Sequence, residues 1–237
     1  MDNIKHKLGT TNWQLVADSL NEKGYVIIPK LISDKQCEEL INNFTLESLY
    51  RKTVVMERFR FGLGAYKYFN YPLPKIIQVI RETTYPKLAP IANLWMKVLK
   101  INRLFPATFK ELQTLCHENN QLQPTPLILK YRKGGFNTLH QDLYGEIFFP
   151  LQTVLFLNNP DEDYTGGEFV LTQQTPRAQS KAIVLKPNKG DMLIFTTNFR
   201  PINGKNGYYR VNMKHGVSEL NSGERHTLGI IFHDATN

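Results

Sequence analysis

Three side chains in this sequence have the types and the spacing that a metal site needs. His140 and Asp142 are separated by one residue in the segment TLHQD. On a β-strand these two side chains point to the same face and can offer a nitrogen and an oxygen to one ion. His215, in the segment MKHGV some four predicted strands later, can supply a second nitrogen. Two histidines and one carboxylate leave the opposite positions of the ion open, which suits Fe(II) sites that bind oxygen.

A candidate anion-binding pair accompanies these ligands. Arg225 lies ten residues after His215, directly before the apolar run of the last predicted strand. A buried arginine is costly unless it meets an anion, and its guanidinium binds a carboxylate through two parallel hydrogen bonds. Tyr131, on the predicted strand LILKY, can donate its hydroxyl to the same carboxylate; the alternative is a core tyrosine. The sequence therefore predicts a site for a small dicarboxylate beside the metal.

Two more residues are candidates for the wall of this pocket. Thr153 and Phe156 lie on the predicted strand LQTVLFL. The pattern alone gives each of them an even chance of facing inward. His226 directly follows Arg225, so we expect it to face the other side of the last strand and to take no part in metal binding.

The segment from 58 to 71 mixes cations, aromatic residues and glycines. Arg58, Tyr66 and Tyr68 could hold a prime substrate there, and the glycines would permit a mobile lid. The alternative is an ordinary hairpin over the mouth of the domain, with its aromatic residues packed inward. Arg210, shortly before His215, could add positive charge at the entrance, unless it is simply a solvated loop cation.

Helix signals are concentrated in the first half of the chain. They consist of capping residues followed by apolar positions at helical spacing. The predicted helices run from about Trp13 to Leu20 (capped by Thr10 or Thr11 and ended by Gly24), from the Ser33–Gln36 capping box, from about Lys75 to Leu99 with interruptions at Pro86 and Pro90, and from about Phe109 to Asn119 after the Thr108–Glu111 capping pair.

After Pro124 the sequence changes to short apolar runs separated by turn residues. Eight such runs in one domain suggest a sandwich or a jelly roll. The predicted strands are LILKY, EIFF, LQTVLFL, EFVL, AIVL, DMLIF, GYYRVNM and HTLGIIF. We predict one domain over 1–237 that is mainly β with supporting α-helices: 1–123 form helical support and a lid, and 124–237 form a jelly-roll core.

Composition excludes several classes of protein. The 237 residues are 41% hydrophobic and 21% charged, which is typical of a soluble globular chain. No membrane span or secretion signal is apparent, so the cytoplasm is the expected compartment. Cys37 and Cys116 fall in predicted helices and indicate neither a disulfide framework nor a thiolate metal site. The net charge of +8 fits either a polyanionic partner or a lysine-rich solvated surface.

Two groups of enzymes resemble the second half of the chain. Tyr131, the run LHQD and the run HGV resemble the AlkB-type nucleic-acid demethylases, and the last strand is similar to prolyl-hydroxylase catalytic domains. From about Pro124 to Ala235 the chain resembles a bacterial branch of the 2-oxoglutarate oxygenase superfamily with the motifs LHQDLYGE, TGGEFVL and RHTLGIIFHDA. The resemblance implies a double-stranded β-helix, which is a jelly roll, together with Fe(II), 2-oxoglutarate and O2.

The sequence departs from the AlkB-type pattern at three positions. Leu129 stands where those enzymes have an asparagine, and Ile231 stands where they have a second arginine. Tyr144 replaces the acidic residue with which they recognise a base, and it is the remaining candidate for substrate contact. The metal ligands carry over unchanged. The cosubstrate site is thus closer to the hydroxylase pattern.

These observations predict a dioxygenase that hydroxylates or oxidatively demethylates a prime substrate. An alkylated nucleic acid is the first candidate, and the alternative is a prolyl-hydroxylase-like enzyme acting on a protein side chain or a small molecule. A cupin-like metal-binding protein without activity and a zinc hydrolase are the rivals from other classes. Arg225 argues against both, because neither needs a buried cation opposite the metal.

Overall fold

The computed structural model describes residues 1–236, which form two antiparallel sheets packed against helices. The helices are α1 (Asp2–Thr10), α2 (Trp13–Lys23), α3 (Asp34–Asn42), α4 (Lys75–Val98) and α5 (Phe109–Glu118). The strands are β1 (Tyr25–Ile28), β2 (Tyr50–Val55), β3 (Gly62–Leu63), β4 (Ala65–Phe69), β5 (Leu127–Arg132), β6 (Phe136–His140), β7 (Leu151–Phe156), β8 (Tyr164–Gly166), β9 (Phe169–Gln174), β10 (Ser180–Leu185), β11 (Met192–Thr196), β12 (Phe199–Gly204), β13 (Gly207–Val217) and β14 (Leu220–Ile230). Short 3₁₀ helices occupy Asn43–Thr45, Glu47–Leu49 and Met56–Phe59.

The strands of the two sheets follow a jelly-roll arrangement, as predicted. The larger sheet has the order β1-β11-β7-β14-β5-β4-β2, with β8 paired to β14. The smaller sheet has the order β10-β9-β13-β6-β3, with β12 paired to β13. One apolar core lies between the sheets, and a larger one lies between the major sheet and the helices. The fold is therefore mainly β with helical support on one face.

Two predicted helix caps are confirmed in detail. Ser33 and Gln36 form the predicted capping box of α3, and Thr108 caps α5 in the same way. The cap of α2 is Asn12, not Thr10 or Thr11, because the Asn12 side chain accepts from two free backbone amides of the first turn. The helix α1 was not predicted at all.

Two predictions of secondary structure were wrong. The helix α4 runs without interruption through Pro86 and Pro90, since its apolar residues are buried on several sides and packing outweighs the lost backbone bonds. The segment EIFF forms no strand. Its Ile147 amide donates to the Gln121 side chain and its carbonyl accepts from it, so a side chain satisfies the groups that a neighbouring strand would.

The N-terminal half contributes more than helices and a lid. The strands β1, β2 and β4 belong to the larger sheet, and β3 belongs to the smaller one. A buried ion pair at 2.9 Å joins Arg81 of α4 to Asp234, and so links the segment after β14 to the helical layer. Within the described part of the chain, no helix is long and apolar enough to cross a bilayer.

Candidate active site

The three predicted metal ligands meet at one end of the cleft between the sheets. His140 is the last residue of β6, and Asp142 lies two residues beyond it in the following loop. His215 on β13 is directly opposite His140 in the register of the two strands, so both imidazoles project from one surface. One ligand atom from each residue lies within 4.8 Å of the others. That spacing fits a single metal ion.

Each histidine presents its Nε2 atom to Asp142. The Nδ1 atom of His140 lies 2.7 Å from the Thr138 carbonyl oxygen, which leaves Nε2 toward the carboxylate at 3.6 Å. The Nε2 atom of His215 lies 3.3 Å from the other carboxylate oxygen. The His215 ring stacks in parallel on Phe169 at 5.9 Å. Such fixed orientation is typical of metal-binding histidines.

Asp142 is held by two neutral donors as well. The Tyr144 hydroxyl donates to Oδ1 at 2.8 Å, and the Gln152 amide donates to Oδ2 at 2.9 Å. Burial raises the pKa of Asp142, but the charges of His215 and His140 and the hydrogen bonds outweigh it, so the pKa lies well below its usual range. Burial lowers the pKa of His215. An ionised carboxylate and a neutral imidazole are the forms that bind a metal.

Arg225 is the buried cation that the sequence predicts. It is 1% exposed, and its three guanidinium nitrogens have no hydrogen-bond partner within residues 1–236. The rings of Tyr131, Phe156 and Tyr164 surround the guanidinium, with centroids 5.5–5.9 Å from its carbon. Unpaired buried charges are costly, so this arrangement fits an anionic ligand. A carboxylate of 2-oxoglutarate meets that requirement.

A cavity of about 230 Å³ joins this cation to the metal ligands. Alternate residues Arg225, Thr227 and Gly229 of β14 line it, followed by Ile231 just after the strand, so the wall changes from cationic to apolar in this direction. Cavities for drug-sized ligands are about 300–1,000 Å³. This cavity therefore suits a small metabolite, with a larger substrate reaching only its mouth.

The other predicted cosubstrate residues lie beside Arg225 or on the wall of the cavity. Tyr131 is directly opposite Arg225 in the β5–β14 register, is fully buried, and accepts from the Asn137 amide at 3.3 Å. Burial raises the pKa of Tyr131 to about 12, so its hydroxyl stays protonated. Phe156 contacts the guanidinium. Thr153 borders the cavity, and its hydroxyl has no partner among the residues described.

The five predicted substrate residues divide into two groups. Tyr66, Tyr68 and Tyr144 line the cavity, and the Tyr68 hydroxyl donates to that of Tyr144 at 3.1 Å. Arg58 and Arg210 are not brought to its wall. Arg58 is exposed on the 3₁₀ helix outside the mouth, and Arg210 lies in the β12–β13 hairpin with its guanidinium 5.5 Å from the Phe199 ring.

Sequence reasoning missed Gln152 and Asn137. Gln152 is 2% exposed in an otherwise apolar strand, and it touches both Asp142 and, at 3.5 Å, His215. Gln152 lies ten residues after Asp142, so spacing did not reveal the contact, but an amide inside the run LQTVLFL was a usable signal. Asn137, three residues before His140, fixes the Tyr131 hydroxyl.

Comparison with known families assigns this chain to a class of enzyme. Residues 64–235 match the model of the family Oxygenase-NA, described as "Oxygenase, catalysing oxidative methylation of damaged DNA". The chain belongs to this family. Uncharacterized proteins from two strains of Mycobacterium tuberculosis are 41% identical over 181 residues, which cover 74% of this chain and 78% of theirs. The predicted oxygenase class is thereby confirmed, and the enzyme is an oxidoreductase.

Solved structures confirm the jelly-roll fold of this oxygenase. A Pseudomonas putida prolyl-4-hydroxylase has a TM-score of 0.55 and 13% identity, covering 92% of this chain and 96% of its own. A Burkholderia pseudomallei oxidoreductase of the 2OG-Fe(II) oxygenase family has a TM-score of 0.52 and 14% identity, covering 96% and 94%. The family name of that second protein contains the two cofactors that the sequence predicts here.

Proposed function

We propose that this oxygenase uses Fe(II), 2-oxoglutarate and O2 to hydroxylate or oxidatively demethylate alkylated nucleic acid. The observation that carries the proposal is that one cavity contains both the His140–Asp142–His215 cluster and the unpaired guanidinium of Arg225. The family description, which names damaged DNA, supports the choice of substrate.

Different residues would bind the iron and the 2-oxoglutarate. His140, Asp142 and His215 would hold the iron, and Arg225 with the Tyr131 hydroxyl would hold the distal carboxylate of 2-oxoglutarate. Bound iron and 2-oxoglutarate supply the chemistry of oxygen activation, in which the keto acid is converted to succinate and CO2. If the product is an N-hydroxymethyl group, it releases formaldehyde and completes a demethylation.

The protein's own groups keep the reacting partners in place. Tyr144 and Gln152 donate to Asp142 and thereby fix the direction of both carboxylate oxygens. Leu127, Leu129 and Ile231 form the apolar wall beyond Thr227, which limits water near the site where oxygen is consumed. Tyr131 remains a hydrogen-bond donor at neutral pH because burial raises its pKa to about 12.

A prolyl-hydroxylase-like activity on a protein or a small molecule is the second candidate. The favouring observation is at Tyr144, where AlkB-type enzymes have an acid. Its hydroxyl donates to Asp142 and accepts from Tyr68, so it is not available to read the polar edge of a base. The apolar flank around it suits an aliphatic side chain as well.

A succinate-release screen tests the proposal. Purified protein with Fe(II), 2-oxoglutarate and oxygen is assayed against methylated and unmethylated single-stranded oligonucleotides, proline-containing peptides and small metabolites. Methyl-dependent succinate and formaldehyde are expected. Turnover with peptides alone would move the assignment to the second candidate, and no turnover with any substrate would contradict both.

The rivals from other classes are separated by spectroscopy. Anaerobic addition of 2-oxoglutarate to the Fe(II) protein is expected to produce a visible charge-transfer band, which a zinc site cannot give. Failure of the band to appear, with iron bound, would favour a metal-binding protein without this activity.

A further inference from the structure

We propose that an unpaired stretch of nucleic acid binds along a continuous surface, from a basic groove on the outer face of the major sheet to an aromatic step at the cavity mouth. The aromatic step is Phe59 with Phe61, and the basic groove is the cavity beside Lys130 and Lys133. The inference rests on the proposed function, because it names the path by which a polyanionic substrate reaches the metal ligands.

The aromatic step leads out of the active-site cavity. Phe61 lines that cavity, and the Phe59 ring stacks on it with centroids 5.5 Å apart and planes 19° apart. Phe59 is 55% exposed and Phe61 is 45% exposed. Large aromatic side chains with this exposure beside a reaction site are unusual unless something covers them. Arg58 and Arg60, which flank Phe59 in the sequence, are also exposed.

The step is held firmly although its rings are exposed. The Phe61 carbonyl accepts from both the amide and the hydroxyl of Thr138, each at 2.9 Å. Its amide donates to the carbonyl of Met56, which is fully buried. Thr138 is two residues before His140, so the strand that carries a metal ligand also positions the step. A preorganised aromatic surface loses little entropy when a ring stacks on it.

The basic groove has a volume of about 650 Å³ on the other face of the same strands. Lys67 is buried on the floor of the groove and forms an ion pair with the exposed Glu47. Lys130 and Arg132 share Glu224 at 2.9 and 2.7 Å. Lys133 is exposed at the rim, so cations outnumber the neighbouring acids along the groove.

One turn separates the groove from the active site. Glu57, Leu63 and Gly64 line the groove, while Phe61 of the same turn lines the active-site cavity. On β5, Lys130 faces the groove, and Tyr131 next to it faces the cavity. A single-stranded nucleic acid with its phosphates in the groove can therefore stack one base on Phe59 and place the next base at the mouth of the active-site cavity.

Unpaired nucleic acid fits both parts of this surface. Cations bind the backbone regardless of sequence, and aromatic rings stack on any base that is not already stacked in a duplex. An apolar peptide would gain little from the groove, and an anionic membrane would gain little from two stacked rings beside a cavity. The formal charge of +8 adds long-range attraction for a polyanion.

The test measures binding of a fluorescent single-stranded oligonucleotide by anisotropy over a salt series. Phe59→Ala should weaken binding roughly five- to hundredfold with the salt slope unchanged, as expected for loss of one stacked base. Lys133→Gln should make the slope of log affinity against log salt concentration shallower by about 0.7. The loss of affinity should be smaller at high salt. Phe59→Trp should retain binding and the apolar but non-aromatic Phe59→Leu should not, which distinguishes stacking from simple apolar contact.

Matched controls are available on the same chain. Tyr208, 51% exposed in the β12–β13 hairpin, is the control for Phe59, and Lys35, exposed on α3, is the control for Lys133. Tyr208→Ala and Lys35→Gln should bind like the parent protein. If the controls weaken binding as much as the test variants, or a duplex binds as tightly as the single strand, the inference is overturned.

Failure of this inference is distinguishable from failure of the oxygenase assignment. Succinate release with a peptide or metabolite, from a protein that binds no oligonucleotide at low salt, overturns the nucleic-acid surface and leaves an oxygenase. Absence of 2-oxoglutarate turnover with every substrate overturns the oxygenase assignment itself, whatever the oligonucleotide data show.

Discussion

Asp142 has each of its carboxylate oxygens in contact with a histidine and a neutral donor. The residue two positions along the chain, Tyr144, supplies one donor, and Gln152 on β7 supplies the other. Hydrogen bonds to the ligands of a metal site fix their direction and typically change metal affinity 10–100-fold when removed. We therefore regard Gln152 as a positioning residue for the proposed iron site.

Metal affinity tests this view directly. Asp142→Ala should abolish tight Fe(II) binding, and Gln152→Ala should weaken it roughly 10–100-fold, because the carboxylate loses its orientation. Anaerobic titration with Fe(II) or Co(II) measures both effects without turnover. Gln78→Ala, at a half-buried glutamine on α4 that bonds Glu82, is the matched control. Normal metal affinity in the Asp142 variant would contradict the ligand assignment.

Arg225 and Tyr131 should differ in their importance for the cosubstrate. Removing one partner of a buried ion pair costs roughly 3–5 kcal/mol, whereas a neutral hydrogen bond contributes about 1 kcal/mol. Arg225→Ala should thus raise the apparent KM for 2-oxoglutarate far more than Tyr131→Phe. Initial rates over a 2-oxoglutarate series measure the difference. Equal effects would place the dicarboxylate elsewhere.

At the scale of elements, strand register brings the site together. The pairs His140–His215 and Tyr131–Arg225 are directly opposite each other in β6–β13 and β5–β14. The sequence predicted all four residues, because their types were unusual for apolar strands. It could not predict these pairings, since register depends on contacts between segments more than 70 residues apart. Gln152 was missed because its contacts with Asp142 and His215 depend on how β7 packs beside them, which the sequence of β7 does not specify.

Predictions based on short stretches of sequence were wrong where tertiary contacts stabilised the segment. Pro86 and Pro90 predict interruptions, yet α4 is continuous because its packing against the sheet and α1 stabilises the helix. EIFF has the composition of a strand, but Gln121 binds its backbone groups. Capping boxes, by contrast, were predicted correctly because all their contacts lie within four residues.

Gly64 lies in the turn before β4, beside Tyr131 of the proposed cosubstrate pocket. Its φ is +150°, and a Cβ atom there would lie 2.9 Å from the Tyr131 ring. Gly64→Ala should lower the free energy of unfolding by about 1–3 kcal/mol and weaken 2-oxoglutarate binding by displacing Tyr131. Thermal unfolding and ligand titration measure the two effects.

Gly207→Ala provides the matched comparison. Gly207 also has a positive φ, +100°, but a Cβ there would meet nothing within 4 Å. It should lose stability through backbone strain alone and bind 2-oxoglutarate normally. Weaker 2-oxoglutarate binding in both variants would show that general destabilisation, and not Tyr131, is responsible.

For the whole molecule, acid sensitivity follows from a buried histidine on β14. Burial lowers the pKa of His226 from 6.5 to about 4, a shift that corresponds to roughly 3 kcal/mol. Between these pH values the unfolded chain binds a proton that the native chain does not. The free energy of unfolding should therefore fall as the pH decreases from 6.5 to 4.

Denaturant unfolding at several pH values measures this dependence. His226→Gln should make it shallower, while His6→Gln, at an exposed position on α1, should leave the slope as in the parent protein. The metal-free protein is used throughout, so that metal release does not contribute. An unchanged slope in the His226 variant would assign the acid sensitivity to other groups.

The fixed position of Arg225 on β14 should also select the length of the keto diacid that binds. The β5–β14 register fixes Arg225 opposite Tyr131, and the β6–β13 register fixes His140 opposite His215 in the same cavity. If Arg225 binds the distal carboxylate as proposed, a keto diacid must have the length that connects the guanidinium to the metal ligands. Oxaloacetate, one methylene shorter, and 2-oxoadipate, one longer, should both support far less turnover than 2-oxoglutarate. Arg225→Lys should shift this preference among the three keto diacids, because the position of the cation sets the length of diacid that reaches the metal ligands.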